Sequence, residues 1–146
     1  MKIRTDFVTN SSSSSFILGF DSMEEIETYR NVLGKRIIQQ VKENILEKNS
    51  YNQLCETYVN CLGYPWSFNY AGRNYWELTE EEKTSPEFEE ALLEEEDRVF
   101  TDLMEELSKY EIISVITLWD SNEKEANLID NIMPDLECLI DKYEVS

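Results

Sequence analysis

The sequence contains no histidine. Ser-His-Asp and Cys-His catalysis lose their base, and zinc loses its commonest nitrogen ligand. Glycine is scarce, with four in 146 residues. Around the serine-rich start neither glycines nor a following lysine are present, which excludes a phosphate-gripping loop of P-loop type. Three cysteines, Cys55, Cys61 and Cys138, are an odd number without paired short spacing, which argues against a disulfide framework. Cys55 falls on an apolar helical stripe and reads as a reduced thiol acting as a small hydrophobe. No apolar run approaches the roughly 20 residues that span a bilayer. No basic stretch followed by an apolar block opens the chain, so no signal peptide is expected and the cytoplasm is the default location. Basic residues are few, 13 against 31 acids, for a net charge of −18. Nucleic acid and anionic membrane are bound through lysine and arginine that displace counterions, so direct binding to either is not expected. A basic protein surface is the matching partner, with a salt-dependent on-rate.

What is present supports one compact domain over 1–146. Apolar residues make up 41% and aromatics 12%, enough for a real core. Residues 2–8 alternate as a short strand. Residues 10–15 read as a loop, because asparagine and serine offer the backbone local hydrogen bonds. Residues 16–20 form a strand, and the pair suggests a hairpin with a wide serine turn. Asp21 or Ser22 caps a helix that runs to Leu33, with Glu24 or Glu25 closing a capping box and Gly34 as its stop. Helices follow over 35–48, with Ile37, Ile38, Val41 and Ile45 inward, and over 51–62, with Tyr51, Leu54, Cys55, Tyr58 and Leu62 inward. Tyr64, Trp66, Phe68 and Tyr70 then alternate, Ala71-Gly72-Arg73 turns, and Tyr75-Trp76 begins a return strand, an aromatic β-hairpin. Ser85-Pro86-Glu87 starts a long helix to about residue 109. Its buried stripe is Phe88, Leu92, Val99, Leu103 and Leu107. Residues 112–118 are the most apolar segment and the expected central strand. Asp120 caps a last helix with Leu128, Ile132, Leu136 and Leu139 inward, kinked or split at Pro134. The fold class is α+β: a small mixed or antiparallel sheet packed by about five helices.

Residues 77–106 hold fourteen acids against Lys83 and Arg98, two thirds of the whole net charge. Like charges at helical spacing repel, so this face is not selected for stability. Glu89, Glu90, Glu94, Glu96, Asp97 and Glu105 are the candidate partner-binding residues, either imitating nucleic-acid phosphates or docking on a basic protein. The bland reading is a solvated helix face. Trp66, Phe68 and Tyr70 are either core or a small-ligand platform. Ser11, Ser12, Ser13, Ser14 and Ser15 form a turn, a modification site or an anion-binding nest. No base stands near them for nucleophilic catalysis. Asp21 and Asp120 each end an apolar strand, inside matching Phe-Asp-Ser and Trp-Asp-Ser strings that read as two capping boxes or as a duplicated unit. Two carboxylates at such an edge suggest divalent-metal chemistry as an alternative.

Asp6-Phe7-Val8-Thr9-Asn10, the five serines and Phe16 resemble the start of many small, uncharacterised proteins of Gram-positive bacteria and their phages. The resemblance covers about the first twenty residues. It implies a phage or mobile-element context, hence a host-cell cytoplasm, and carries over no activity. Three functions follow. The first is a non-enzymatic acidic protein that binds a basic host protein, such as an inhibitor of a nucleic-acid-binding or defence protein. The second is a structural or assembly accessory with a merely solvated acidic face. The third is a metal-dependent enzyme using Asp21 and Asp120. The first needs no cofactor, and the sequence fixes no oligomeric state.

Overall fold

A computed structural model describes residues 13–145. The expected strand at 2–8 and the residues Ser11 and Ser12 lie outside the described residues. In chain order the elements are β1 (Ser13–Phe20), α1 (Met23–Glu27), α2 (Arg30–Leu33), α3 (Lys35–Glu43), α4 (Tyr51–Asn60), α5 (Glu80–Lys83), α6 (Pro86–Leu107), β2 (Ile112–Trp119), α7 (Glu123–Asn127) and β3 (Leu139–Val145). The fold is α+β with an antiparallel sheet ordered β2-β1-β3. Contacts divide it into two compact units, Met1–Lys48 with Leu107–Ser146, and Asn49–Glu106.

In the first unit β1 is the central strand, and the apolar 112–118 segment is an edge strand instead. Side chains and a loop cover β2's outer edge, which is why an edge strand can be so apolar. Thr117 N–H donates to Gln40 Oε1 at 3.1 Å, Trp119 N–H to Glu125 Oε1 at 3.1 Å, and Leu46 N–H to the Ile113 carbonyl at 2.8 Å. An edge closed in this way offers no template for pairing with another chain.

Ser13, Ser14 and Ser15 are buried strand residues, which corrects the turn expected there. They pair on one side with Trp119, Leu118 and Thr117, and on the other with Val145, Glu144 and Tyr143. Two flanking strands overcome serine's weak strand preference. Ser15 and Thr117 stand directly opposite, their hydroxyls 3.1 Å apart.

Phe16, Leu18 and Phe20 of β1 join Ile116 and Leu118 of β2 on one sheet face. Ile26, Leu33, Ile37, Ile38, Val41 and Met133 pack onto them as the core. Ser22 caps α1, its Oγ accepting from Glu25 N–H at 3.2 Å. α3 ends at Glu43, short of the expected residue 48, because Ile45 bridges to Ser114. The expected last helix also breaks up. Asn122, not Asp120, caps α7, its Oδ1 accepting from Lys124 and Glu125 N–H at 3.0 and 3.1 Å. A π turn at Leu128–Ile132 and a 3₁₀ turn at Met133–Asp135 follow, then β3. Pro134 has no N–H to continue the helix. Leu128, Ile132, Leu136 and Leu139 nevertheless pack against the core, as their spacing predicts.

In the second unit, the expected aromatic hairpin is a series of turns. Ser67 N–H donates to the Gly63 carbonyl and Phe68 N–H to the Pro65 carbonyl, both at 3.1 Å. Those three- and four-residue steps replace the two-residue period, and of the alternating aromatics Trp66 is exposed while Phe68 and Tyr70 are half-buried. Tyr70 and Arg73 exchange backbone bonds of 2.9 Å in each direction around a tight turn. Phe68, Tyr70 and Tyr75 converge on Phe88 of α6, with ring centroids 5.7, 5.2 and 5.9 Å away. Thr79 and Glu82 form a capping box that starts α5, an unexpected helix whose signal is the Thr-x-x-Glu spacing. Ser85 caps α6, its Oγ accepting from Phe88 N–H at 3.2 Å. Among the described residues no helix is long and apolar enough to cross a membrane.

Candidate functional site

α6 carries most of the chemistry of the second unit. Its buried side includes Phe88 and Leu103. Leu93 instead is 62% exposed, a large apolar side chain left in water. Glu89, Glu90, Glu96 and Asp97 stand at −4, −3, +3 and +4 from it, the spacings that bring helix side chains together. Four of the six sequence candidates therefore surround one apolar centre. Glu94 is exposed beside them. Glu105 lies about 12 Å further along the axis than Asp97 and belongs to a different stretch.

Glu96 and Asp97 also line an open cleft of about 450 Å³ with Phe100 of α6 and Glu56, Val59 and Asn60 of α4. Phe100 is seven residues beyond Leu93, so it continues the same apolar row. The cleft is lined by three carboxylates together with the apolar side chains of Val59 and Phe100. That combination suits a long cationic side chain, whose stem is apolar and whose head is charged.

The unit's own cations do not neutralise this surface. Arg73 pairs with Glu82, and Lys83 with Glu80 at 3.4 Å. Arg98 pairs with Glu95 at 2.8 Å and with Asp102 at 3.0 Å. Every basic side chain of the unit is thus already engaged, on a carboxylate outside the Leu93 ring. The Arg73 guanidinium, with the Thr79 backbone, holds the Glu82 carboxyl down at about 2. Arg98 likewise lowers Glu95, which also accepts from the Tyr64 hydroxyl at 2.9 Å. Burial and that carboxylate push the Tyr64 phenol up to about 12.

The aromatic platform is divided. Phe68 and Tyr70 are partly buried against Phe88, as core, while Trp66 is 64% exposed. Trp76, which the period-two pattern did not single out, is 68% exposed. Ser13, Ser14 and Ser15 are sealed between two strands, which leaves no nest there and no accessible hydroxyl.

Asp21 and Asp120 do not share a site. β1 and β2 are antiparallel, with Phe20 opposite Ile112 and Ser13 opposite Trp119. The two aspartates therefore flank opposite ends of an eight-residue strand that is itself about 23 Å long. No single ion bridges that distance. Among the described residues, no group of three acids or cysteines could hold a metal. Burial pushes the Cys55 and Cys138 thiols up to about 11, so both stay protonated and inert at neutral pH. No protein-family model, curated protein or solved structure matches this chain.

Proposed function

We propose that the protein is a non-enzymatic binding factor whose α6 face docks on a basic protein. The observation that supports this most is Leu93, exposed at the centre of Glu89, Glu90, Glu96 and Asp97. An apolar centre inside a polar rim is the common layout of a protein interface. A rim of one sign selects a partner of the other sign and speeds its approach. The same row of carboxylates offers a nucleic-acid-binding protein a substitute for phosphates. This fits the phage-type context implied by the N-terminal string, in which the partner is a host nucleic-acid-handling or defence protein.

One observation favours the second reading, an accessory protein with a solvated face. Glu95, Arg98 and Asp102 form an i, i+3 and i, i+4 ladder that supports the helix by itself. The discriminating experiment compares wild type with a Leu93→Ala/Glu96→Lys/Asp97→Lys variant, each immobilised in host lysate. A basic protein retained by wild type, released by salt and lost with the variant supports docking. Equal retention by both, or no basic protein at low salt, refutes it.

A further inference from the structure

We infer that the loop carrying Trp66, Tyr75 and Trp76 is a cation-accepting aromatic site that takes an arginine side chain of the basic partner. It rests on the reading above, because the partner's positive charge is what brings arginine to this loop. All three tryptophans of the chain are at least 48% exposed, and the two on this loop are the most exposed, at 64% and 68%. Exposed indoles are costly in water and are over-represented as anchors at interfaces. Trp66 stands edge-on to Tyr75, ring centroids 4.8 Å apart at 76°. Trp76 follows Tyr75 in the short 3₁₀ turn Tyr75–Glu77 and stands exposed on the same loop.

The loop already holds one cation. Lys83 Nζ lies 4.7 Å from the centre of the Tyr75 ring, and its other partner is the Glu80 carboxylate at 3.4 Å. Aromatic face plus carboxylate is the chemistry that accepts a positive side chain, and the unit satisfies it once from within. Trp66 and Trp76 repeat the aromatic half in the open. Glu77, next to Trp76, and the exposed Glu81 supply further negative charge. Tryptophan gives the strongest ring face for a cation. Arginine suits it better than lysine, because a planar, weakly hydrated guanidinium stacks on the ring while an ammonium keeps its water.

Nona-arginine and nona-lysine peptides carry the same charge, so a preference between them that depends on Trp66 and Trp76 separates this site from plain charge attraction to the acidic helix. Affinities are measured by calorimetry at physiological ionic strength. Wild type is expected to bind nona-arginine roughly fivefold tighter than nona-lysine. A Trp66→Ala/Trp76→Ala variant is expected to bind the two peptides alike while keeping wild-type affinity for nona-lysine. Both residues are exposed, so circular dichroism of the variant should match wild type. In a Trp119→Phe background, nona-arginine should also shift the tryptophan emission. Equal binding of both peptides by wild type, or a preference that survives in the double variant, overturns the arginine site and leaves the acidic face standing. Failure of both peptides to bind overturns the arginine site and the acidic docking face together.

Discussion

Gly19 sits in the central strand with no room for a side chain. A Cβ built there would stand 2.6, 2.7 and 2.8 Å from three ring carbons of Tyr110. Carbon atoms rest at about 3.5–4.0 Å, so Gly19→Ala forces the ring back by roughly 1 Å. Such overpacking costs about 1–3 kcal/mol. Alanine also stiffens the unfolded chain, which returns about 0.4–1 kcal/mol. The expected net loss is about 1–2 kcal/mol. Urea denaturation followed by Trp119 fluorescence, with Trp66 and Trp76 changed to Phe, reports this unit alone. The same substitution in a Tyr110→Ala background should cost nothing, because the obstacle is gone. The two single and one double variant form a cycle whose coupling should exceed about 1 kcal/mol. Additive effects, or an unchanged midpoint for Gly19→Ala, would refute the close packing of Tyr110 on the strand.

Glu125 is a buried carboxylate that accepts from Trp119 N–H at 3.1 Å and from Arg36 at 2.6 Å. Glu125→Ala leaves that backbone donor unsatisfied and should cost about 1–3 kcal/mol in thermal denaturation, and a loss within error would sink the reading. Phe88 is 3% exposed beneath three aromatic rings. Phe88→Ala should cost the second unit about 3–5 kcal/mol, seen as early unfolding by Trp66 and Trp76 emission while Trp119 emission holds. Simultaneous loss of all three signals would contradict it. Arg30 and then Lys42 lower Glu27 from 4.5 to about 2, and Arg73 does the same for Glu82. Depressed carboxyls stabilise the fold fully above 4.5, and that stability fades as pH falls towards 2. Carboxyl-carbon NMR should show both midpoints near 2, and midpoints near 4.5 would exclude the ion pairs.

The parts of the fold that a local signal encodes were legible in the sequence. Ser85-Pro86-Glu87 starts α6, Ser22 caps α1, and Phe16 to Phe20 lie in a strand. What depended on distant neighbours was not. The serines become strand only because β2 and β3 close on both sides of them. Asp21 and Asp120 look equivalent in sequence, and antiparallel pairing alone sends them to opposite ends. β3 was hidden because Leu128, Ile132, Leu136 and Leu139 keep a helical spacing while Pro134 ends the helix between them. For the site, the acidic candidates were visible, but Glu56 reaches the cleft from another helix. Leu93 was missed, although the acids three and four positions away on either side are a signal that could have found it. The period-two reading of Trp66, Phe68 and Tyr70 failed because Pro65 and Gly63 lead the chain into turns.

The topology of the sheet also sets a timetable for synthesis. β1 leaves the ribosome before both of its partners, β2 and β3, which are made only after Asn49–Glu106. Domains generally fold as units during synthesis, in the order they emerge. The acidic unit can therefore complete its own folding while Phe16-Ile17-Leu18-Gly19-Phe20 is still unpaired on the nascent chain. For that interval an apolar strand with two open edges stands exposed, the kind of segment that is prone to aggregate before its partners arrive.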